Sequence, residues 1–318
     1  MNLIDFHKTF PNEDACIEYF KAKRESQGIV CDKCGCTHHY WKSYRNQWQC
    51  KKCGHRTGLK AGTVMHSSKL PLLTWFITIH LITSTKKSFS AAELQRQLGI
   101  SCYQTVWEML HKIRGVMGKR DSRYKLNGSI ELDDAFFTIS LENDKEGEKL
   151  KRGRGSQRKA KVLVIAESQK SEKIDSRKKI QKSVGHIKMI VINDFKSPTL
   201  DKEVVKWINS DADITTDDSK SYVNFKNLVK SHTSQVVEPK DLSKVLPWVH
   251  IVISNAKRQL LDIHHDIQPE FLQSYLDEFC YKFNRRNLDV FERVMFSCVG
   301  YKNEFKHTAL SFNIRIRT

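Results

Sequence analysis

The chain has 318 residues, 39% of them hydrophobic and 10% aromatic, and a formal net charge of +18 at pH 7. This composition excludes wholesale disorder, and the length fits ~2 domains or a few smaller ones. No stretch approaches the ~18 uncharged apolar residues of a membrane span, and the start MNLIDFHKTF lacks a secretory signal's build. The expectation is a soluble cytoplasmic protein whose charge seeks a polyanion, nucleic acid first.

The first predicted element is a metal-binding module. Cys31 and Cys34 form one CxxC pair, and Cys50 and Cys53 form another. Paired knuckles at this separation match a structural site for Zn²⁺, with two thiolates from each tight turn. Gly35 and Gly54 follow the pairs, where a left-handed backbone helps. Four thiolates close the coordination sphere, so such a metal holds structure and does no chemistry. Cys36 is a spare thiol, and His38, His39 or His55 could replace one ligand. Tyr40, Trp41, Tyr44 and Trp48 read as short strands covering a small core. The isolated Cys16, Cys102, Cys280 and Cys298 read as small buried hydrophobes.

Next comes a helical module. Leu72, Trp75, Phe76, Ile79 and Ile82 fall on one helical face after Pro71. Ser90 and Glu93 form a capping box for a second helix that stops at Gly99. Ser101 is expected to cap a third helix, with Val106, Leu110, Ile113 and Met117 inward. Helix, glycine turn and helix suggest a helix-turn-helix. Its second helix would offer Tyr103, Gln104 and Thr105 to base edges. Lys112 and Arg114, with Lys119, Arg120 and Arg123, would meet phosphates. Residues 51–128 carry 14 Lys/Arg against 3 Asp/Glu, which favours DNA over a purely structural hairpin.

From Ser129 onward strand and helix signals alternate, implying a mixed α/β sheet. Strands are expected at 129–137, 161–166, 186–193 and 212–216, and helices at 200–209, 221–229 and 269–286. The last of these carries an apolar stripe of Leu272, Tyr275, Leu276, Phe279 and Phe283, read as core. The polar stretch 167–185 reads as a basic connection; residues 149–182 carry 13 Lys/Arg against 3 Asp/Glu, a grip for non-specific DNA. Asp133 and Asp134 sit inside the first strand, and Asp217 and Asp218 end a later one. Alternation puts Asp133 with Glu131, Ala135 and Phe137, away from the face of Ile130, Leu132, Asp134 and Phe136, read as the more apolar one. A carboxylate within a central strand is costly unless paired or metal-bound. Converging carboxylates suit Mg²⁺ or Mn²⁺, and two such ions can run phosphodiester displacement.

The ordered set resembles a family of bacterial insertion-sequence transposases. It consists of the zinc ribbon, the helix-turn-helix, Ile130-Glu131-Leu132-Asp133, Thr216-Asp217-Asp218-Ser219-Lys220-Ser221-Tyr222, Trp248 to Arg258, and Tyr275 to Arg286. The resemblance covers about residues 10–295. It implies a multidomain α+β chain with an RNase H-like catalytic domain of the DDE type. The boundaries then fall at 1–66, 67–125, 126–295 and a tail, 296–318. The resemblance makes Asp133 and Asp217 two metal carboxylates and puts Asn255 at the third, usually glutamate, position. Asp262, two turns on, could compensate for the missing charge, and His250 is another possible ligand or proton carrier. Lys257 and Arg258 would hold phosphate near the metals. The implied activity is recognition of terminal inverted repeats in double-stranded DNA, metal-dependent cleavage, and strand transfer, by a homodimer or higher oligomer associated with the nucleoid. Two alternatives stay open: a non-enzymatic DNA-binding regulator, and an RNase H-like repair nuclease.

Overall fold

The computed structural model describes residues 1–140, 153, 156–170, 182–236, 245–264 and 267–302. Their contacts form two units, Met1–Arg120 with the chain from Asn287 onward, and Asp121–Arg286. The ribbon and the helical module therefore share one unit, where the sequence suggested a boundary after residue 66.

Asn2 and Asn12 cap the first two helices, α1 (Leu3–Thr9) and α2 (Glu13–Gln27), by accepting the N–H groups of Asp5 and Ala15. A three-stranded antiparallel sheet follows: β1 (His39–Lys42), β2 (Gln47–Cys50) and β3 (Arg56–Gly58). Helix α3 (Leu72–Ser84) buries Leu72, Trp75, Phe76, Ile79 and Ile82, the expected stripe. Its first two N–H groups, on Leu72 and Leu73, donate to the Glu13 carboxylate. Ser90 accepts from the Glu93 N–H at the start of α4 (Ala91–Leu98), and Gly99 ends that helix at φ 63°. The third helix, α5 (Tyr103–Asp121), begins later than Ser101 allows. Its cap is the sulfur of Cys102, which hydrogen-bonds Thr105 and has its pKa lowered by that bond. Cys102 is thus exposed, unlike the buried Cys16, Cys280 and Cys298.

The second unit is built on a five-stranded sheet: β4 (Ser129–Thr138), β5 (Lys159–Lys170), β6 (Lys182–Ile192), β7 (Asp213–Asp217) and β8 (Ser231–Gln235). Its order is β6-β5-β4-β7-β8, antiparallel through β4, β5 and β6 and parallel from β4 to β8. The ends of the expected basic connection are strand. Paired across β5 and β6, Ser168, Gln169 and Lys170 meet Val184, Ser183 and Lys182 beyond a register shift. Residues 171–181 of that connection, and 149–152 and 154–155 of the basic segment, lie outside the described residues.

Helix α6 (Ser197–Trp207) covers one face of the sheet with Leu200 and Val204. The helix expected at 221–229 is two 3-10 turns that bury Tyr222 and Phe225 three residues apart. Helices α7 (Pro247–Ile263) and α8 (Pro269–Asn284) cover the other face. There Val249, Val252, Ala256 and Leu260 meet Ala135, Phe137, Val162 and Val164, and the stripe on α8 is core as expected. Both faces of β4 are therefore apolar, and Asp133 does not gain a polar face by alternation. The last helix, α9 (Val290–Gly300), belongs to the first unit, where Phe291 joins Phe6, Phe10 and Phe76. None of the described helices is long and apolar enough to cross a membrane.

Candidate metal and catalytic site

Parallel pairing explains how distant aspartates meet. Glu131 on β4 lies beside Thr215 on β7. Two residues further along both strands come Asp133 and Asp217, on the same side by strand alternation. Asp134 joins them: one ligand oxygen from each of Asp133, Asp134 and Asp217 lies within 4.8 Å of the others. The Asp134 N–H also donates to Asp133 Oδ1 at 2.8 Å. Beneath them, the buried Tyr222 hydroxyl donates to Asp134. Its pKa is raised by burial first, then by the three carboxylates.

These aspartates line an open cleft of about 650 Å³, with Asp218 and Ser219 beside them. The opposite wall is α7, which presents His250, Ile253 and Lys257. His250 Nδ1 lies 3.6 Å from Asp133 Oδ2, and its Nε2 is buried without a hydrogen-bond partner among the described residues. Burial lowers the His250 pKa, so the ring stays neutral and able to ligate.

Asn255 is not brought to the aspartates. It is exposed and absent from the cleft wall. At ~100° per residue it sits about 200° around α7 from both Ile253 and Lys257. Asp262, seven residues further on, is exposed on that same outer side. Lys257 lines the cleft, whereas Arg258 is exposed outside it.

Sequence reasoning missed the role of Glu131. This buried carboxylate sits two residues before Asp133 and accepts the N–H groups of Trp248 and Val249, at 2.7 and 3.1 Å. It thereby caps the first turn of α7 and ties the helix carrying His250 to the strand carrying Asp133. Glu131→Ala is expected to destabilise the protein by about 3 kcal/mol, since the amides lose a charged acceptor. Glu131→Gln, which keeps one acceptor oxygen, should lose less. Urea unfolding of both variants measures this.

In the first unit, the sulfurs of Cys31, Cys34, Cys50 and Cys53 all lie within 4.8 Å of one another. Gly35 and Gly54 have φ of 69° and 72° and turn the knuckles. The backbone N–H of Cys53 holds the Cys50 thiol down to about 6. Cys34 accepts from the Cys36 N–H yet is pushed up to about 12 by its thiol neighbours. Four thiols this close cannot all ionise side by side without a cation, so the donor set fits Zn²⁺. Cys36 instead interacts with the backbone of His38.

On α5, Gln104 is exposed and donates to Glu108 at 3.1 Å, and Tyr103, Thr105 and Lys112 are half-buried. Arg114 is 1% exposed and inside the unit, so the expectation of a phosphate contact there is withdrawn.

The model of the ISXO2-like transposase domain matches residues 125–284. The chain belongs to this transposase family. The model of the transposase zinc-ribbon domain matches residues 11–56, which hold the four-cysteine cluster. No curated protein matches the chain. Solved structures similar to it include a pre-cleavage Mos1 transpososome, at 10% identity over 73% of this chain and 80% of that one, with a TM-score of 0.27. A Mos1 transposase paired-end complex with the left transposon end shares 11% identity over 71% of this chain and 79% of that one, with a TM-score of 0.28. This transposase thus pairs a ribbon with a mixed-sheet domain.

Proposed function

We propose that this transposase cuts double-stranded DNA at the ends of its element and joins the freed ends to a target, using divalent cations held by Asp133, Asp134 and Asp217. The observation that carries the reading is the convergence of these three carboxylates in an open cleft. His250 takes the third metal position in place of Asn255, because its ring shares the cleft with Asp133. When bound, Mg²⁺ or Mn²⁺ ions supply the Lewis acidity that activates the attacking oxygen and offsets charge on the leaving one.

The protein's own groups then have separate tasks. Asp133, Asp134 and Asp217 fix the cation positions. Tyr222 keeps Asp134 oriented from below. Lys257 holds a non-bridging phosphate oxygen, a point charge within the cleft. In the first step water adds to phosphorus and the P–O3′ bond breaks, leaving a 3′-hydroxyl and a 5′-phosphate. In the second, that 3′-hydroxyl attacks a target phosphodiester, whose own 3′-oxygen leaves with the proton. The first turn of α5, with Tyr103, Gln104 and Thr105, meets base edges, and Lys112 meets the backbone. Pairing of two element ends calls for at least a dimer.

The test is cleavage and joining of labelled element-end duplexes with Mg²⁺. His250→Ala should lower both steps by about 100-fold and Asn255→Ala by less than about 3-fold. The reverse ranking would return Asn255 to the metal. Cleavage without joining would make the protein a nuclease.

A further inference from the structure

Strand β8 has no apolar residue, so burial of side chains does not account for its place on the sheet. Hydrogen bonds from its side chains to β7 supply the hold. Ser231 donates to Asp213 Oδ1 at 2.6 Å, and Ser234 donates to Asp218 Oδ1 at 2.7 Å. Between them, His232 Nε2 lies 2.9 Å from the hydroxyl of the fully buried Thr216. The same hydroxyl donates to the backbone carbonyl of Asp217 at 2.8 Å. A hydroxyl has one proton and a carbonyl can only accept, so the ring is the other donor. The relay runs from His232 Nε2–H to Thr216 Oγ1, and from the Thr216 O–H to the Asp217 carbonyl.

This relay sits where β7 is least restrained. Pairing of β7 with β4 runs from Asp213 to Thr215, whereas pairing with β8 continues to Asp217. The residue that carries the carboxylate is therefore held from the β8 side. Strand alternation turns Thr216 away from the cleft that Asp217 lines, so the hydroxyl grips the peptide from behind. Further back, the His232 ring lies 5.5 Å from the Phe225 ring, and Phe225 lies 5.2 Å from Tyr222, which donates to Asp134. One packed group thus reaches both Asp217 and Asp134, two members of the carboxylate cluster. Carboxylates this close repel one another, and a support fixed in advance lowers the cost of gathering them around a cation.

We propose that His232 and Thr216 are positioning residues of the cation site: the ring holds the hydroxyl, the hydroxyl holds the last peptide of β7, and that peptide aims the Asp217 carboxylate into the cleft. The proposal rests on the reading of Asp133, Asp134 and Asp217 as cation ligands and names what sets the last of them. A purely structural pair would cost stability on removal and leave cation affinity alone. A positioning pair changes cation affinity, and the two residues do so as one unit.

The test is Mn²⁺ binding to the full-length, zinc-loaded protein, read from the electron paramagnetic resonance of free Mn²⁺. Asp133→Asn marks the share of binding that belongs to the cleft. Thr216→Val keeps the volume and removes the hydroxyl; it should weaken cleft binding about 10-fold, the low end for an outer partner of a ligand because it acts through the backbone. Thr216→Ser keeps the hydroxyl and should stay within about 2-fold of wild type. His232→Ala, at a half-buried position that spares the fold, should match Thr216→Val. The double variant should be within about 2-fold of either single one, since both break one relay. Ser231→Ala removes a bond of the same kind at the far end of β7 and should keep the wild-type affinity. The Mg²⁺ concentration for half-maximal cleavage should rise in step with each loss of Mn²⁺ affinity. Wild-type Mn²⁺ affinity in Thr216→Val and His232→Ala would overturn the relay alone. An equal loss in Ser231→Ala or Thr216→Ser would trace the effect to the strand pair as a whole, and would also overturn it. Mn²⁺ binding left untouched by Asp133→Asn would overturn the cation reading with it.

Discussion

Replacing Asp133 or Asp217 with asparagine is expected to lower DNA cleavage and joining by about 1,000-fold, some 4 kcal/mol of barrier. Asparagine preserves volume and one carbonyl oxygen but removes the charge that offsets a divalent cation. The two losses should not add, because either change dismantles the same site: the double variant should be no more than about 10-fold worse than either single one. Affinity for the element end should change by less than about 3-fold, since base and phosphate contacts lie on other elements. Gel assays of cleavage beside anisotropy of binding separate the two quantities. A Asp133→Asn protein with near-normal cleavage would show that the carboxylate cluster is structural.

The second large effect concerns the ribbon. Loss of Zn²⁺, by chelation or by Cys50→Ser, should unfold the three-stranded sheet. Structural zinc contributes about 10–16 kcal/mol in isolated fingers at neutral pH, and the sheet's own core, Trp41 against Trp48, is small beside it. Hydrogen exchange should show protection lost across β1, β2 and β3. The β4 and β5 amides, which close a separate apolar core, should keep theirs. The expected metal content of wild type is one zinc per chain. Retained protection in the metal-free protein would contradict this.

How far the sequence reveals this molecule depends on the range of each interaction. The zinc knuckles were legible because each is a local turn with its ligands fixed by spacing. The helix starting at Ser90 and stopping at Gly99 was legible for the same reason. The meeting of Asp133 with Asp217 was expected through the family resemblance, yet its geometric cause, the parallel register of β4 and β7, is a long-range fact. Strand β8, Ser-His-Thr-Ser-Gln, was missed because an edge strand with no apolar residue carries no periodic signal. The resemblance puts Asn255 at the third position, and a motif match carries no helix phase. The buried stripe Val249, Val252, Ala256 and Leu260 fixes that phase, and it turns Asn255 outward. Aromatic residues in the ribbon mislead in the opposite direction, since Tyr40 alternates away from the core and Tyr44 sits in the 3-10 turn between β1 and β2. Charge alone points Arg114 at phosphate, whereas its place between Ile113 and Val116 on a buried face keeps it inside.

The central claim is that Asp133, Asp134, Asp217 and His250 hold a divalent cation. The most direct measurement is anomalous diffraction from a crystal grown with Mn²⁺. The account predicts a manganese peak within about 2.3 Å of carboxylate oxygens from Asp133 and Asp217, with the His250 ring turned toward it. A peak at Asn255 or Asp262, or no peak between the two strands at millimolar Mn²⁺, would contradict it.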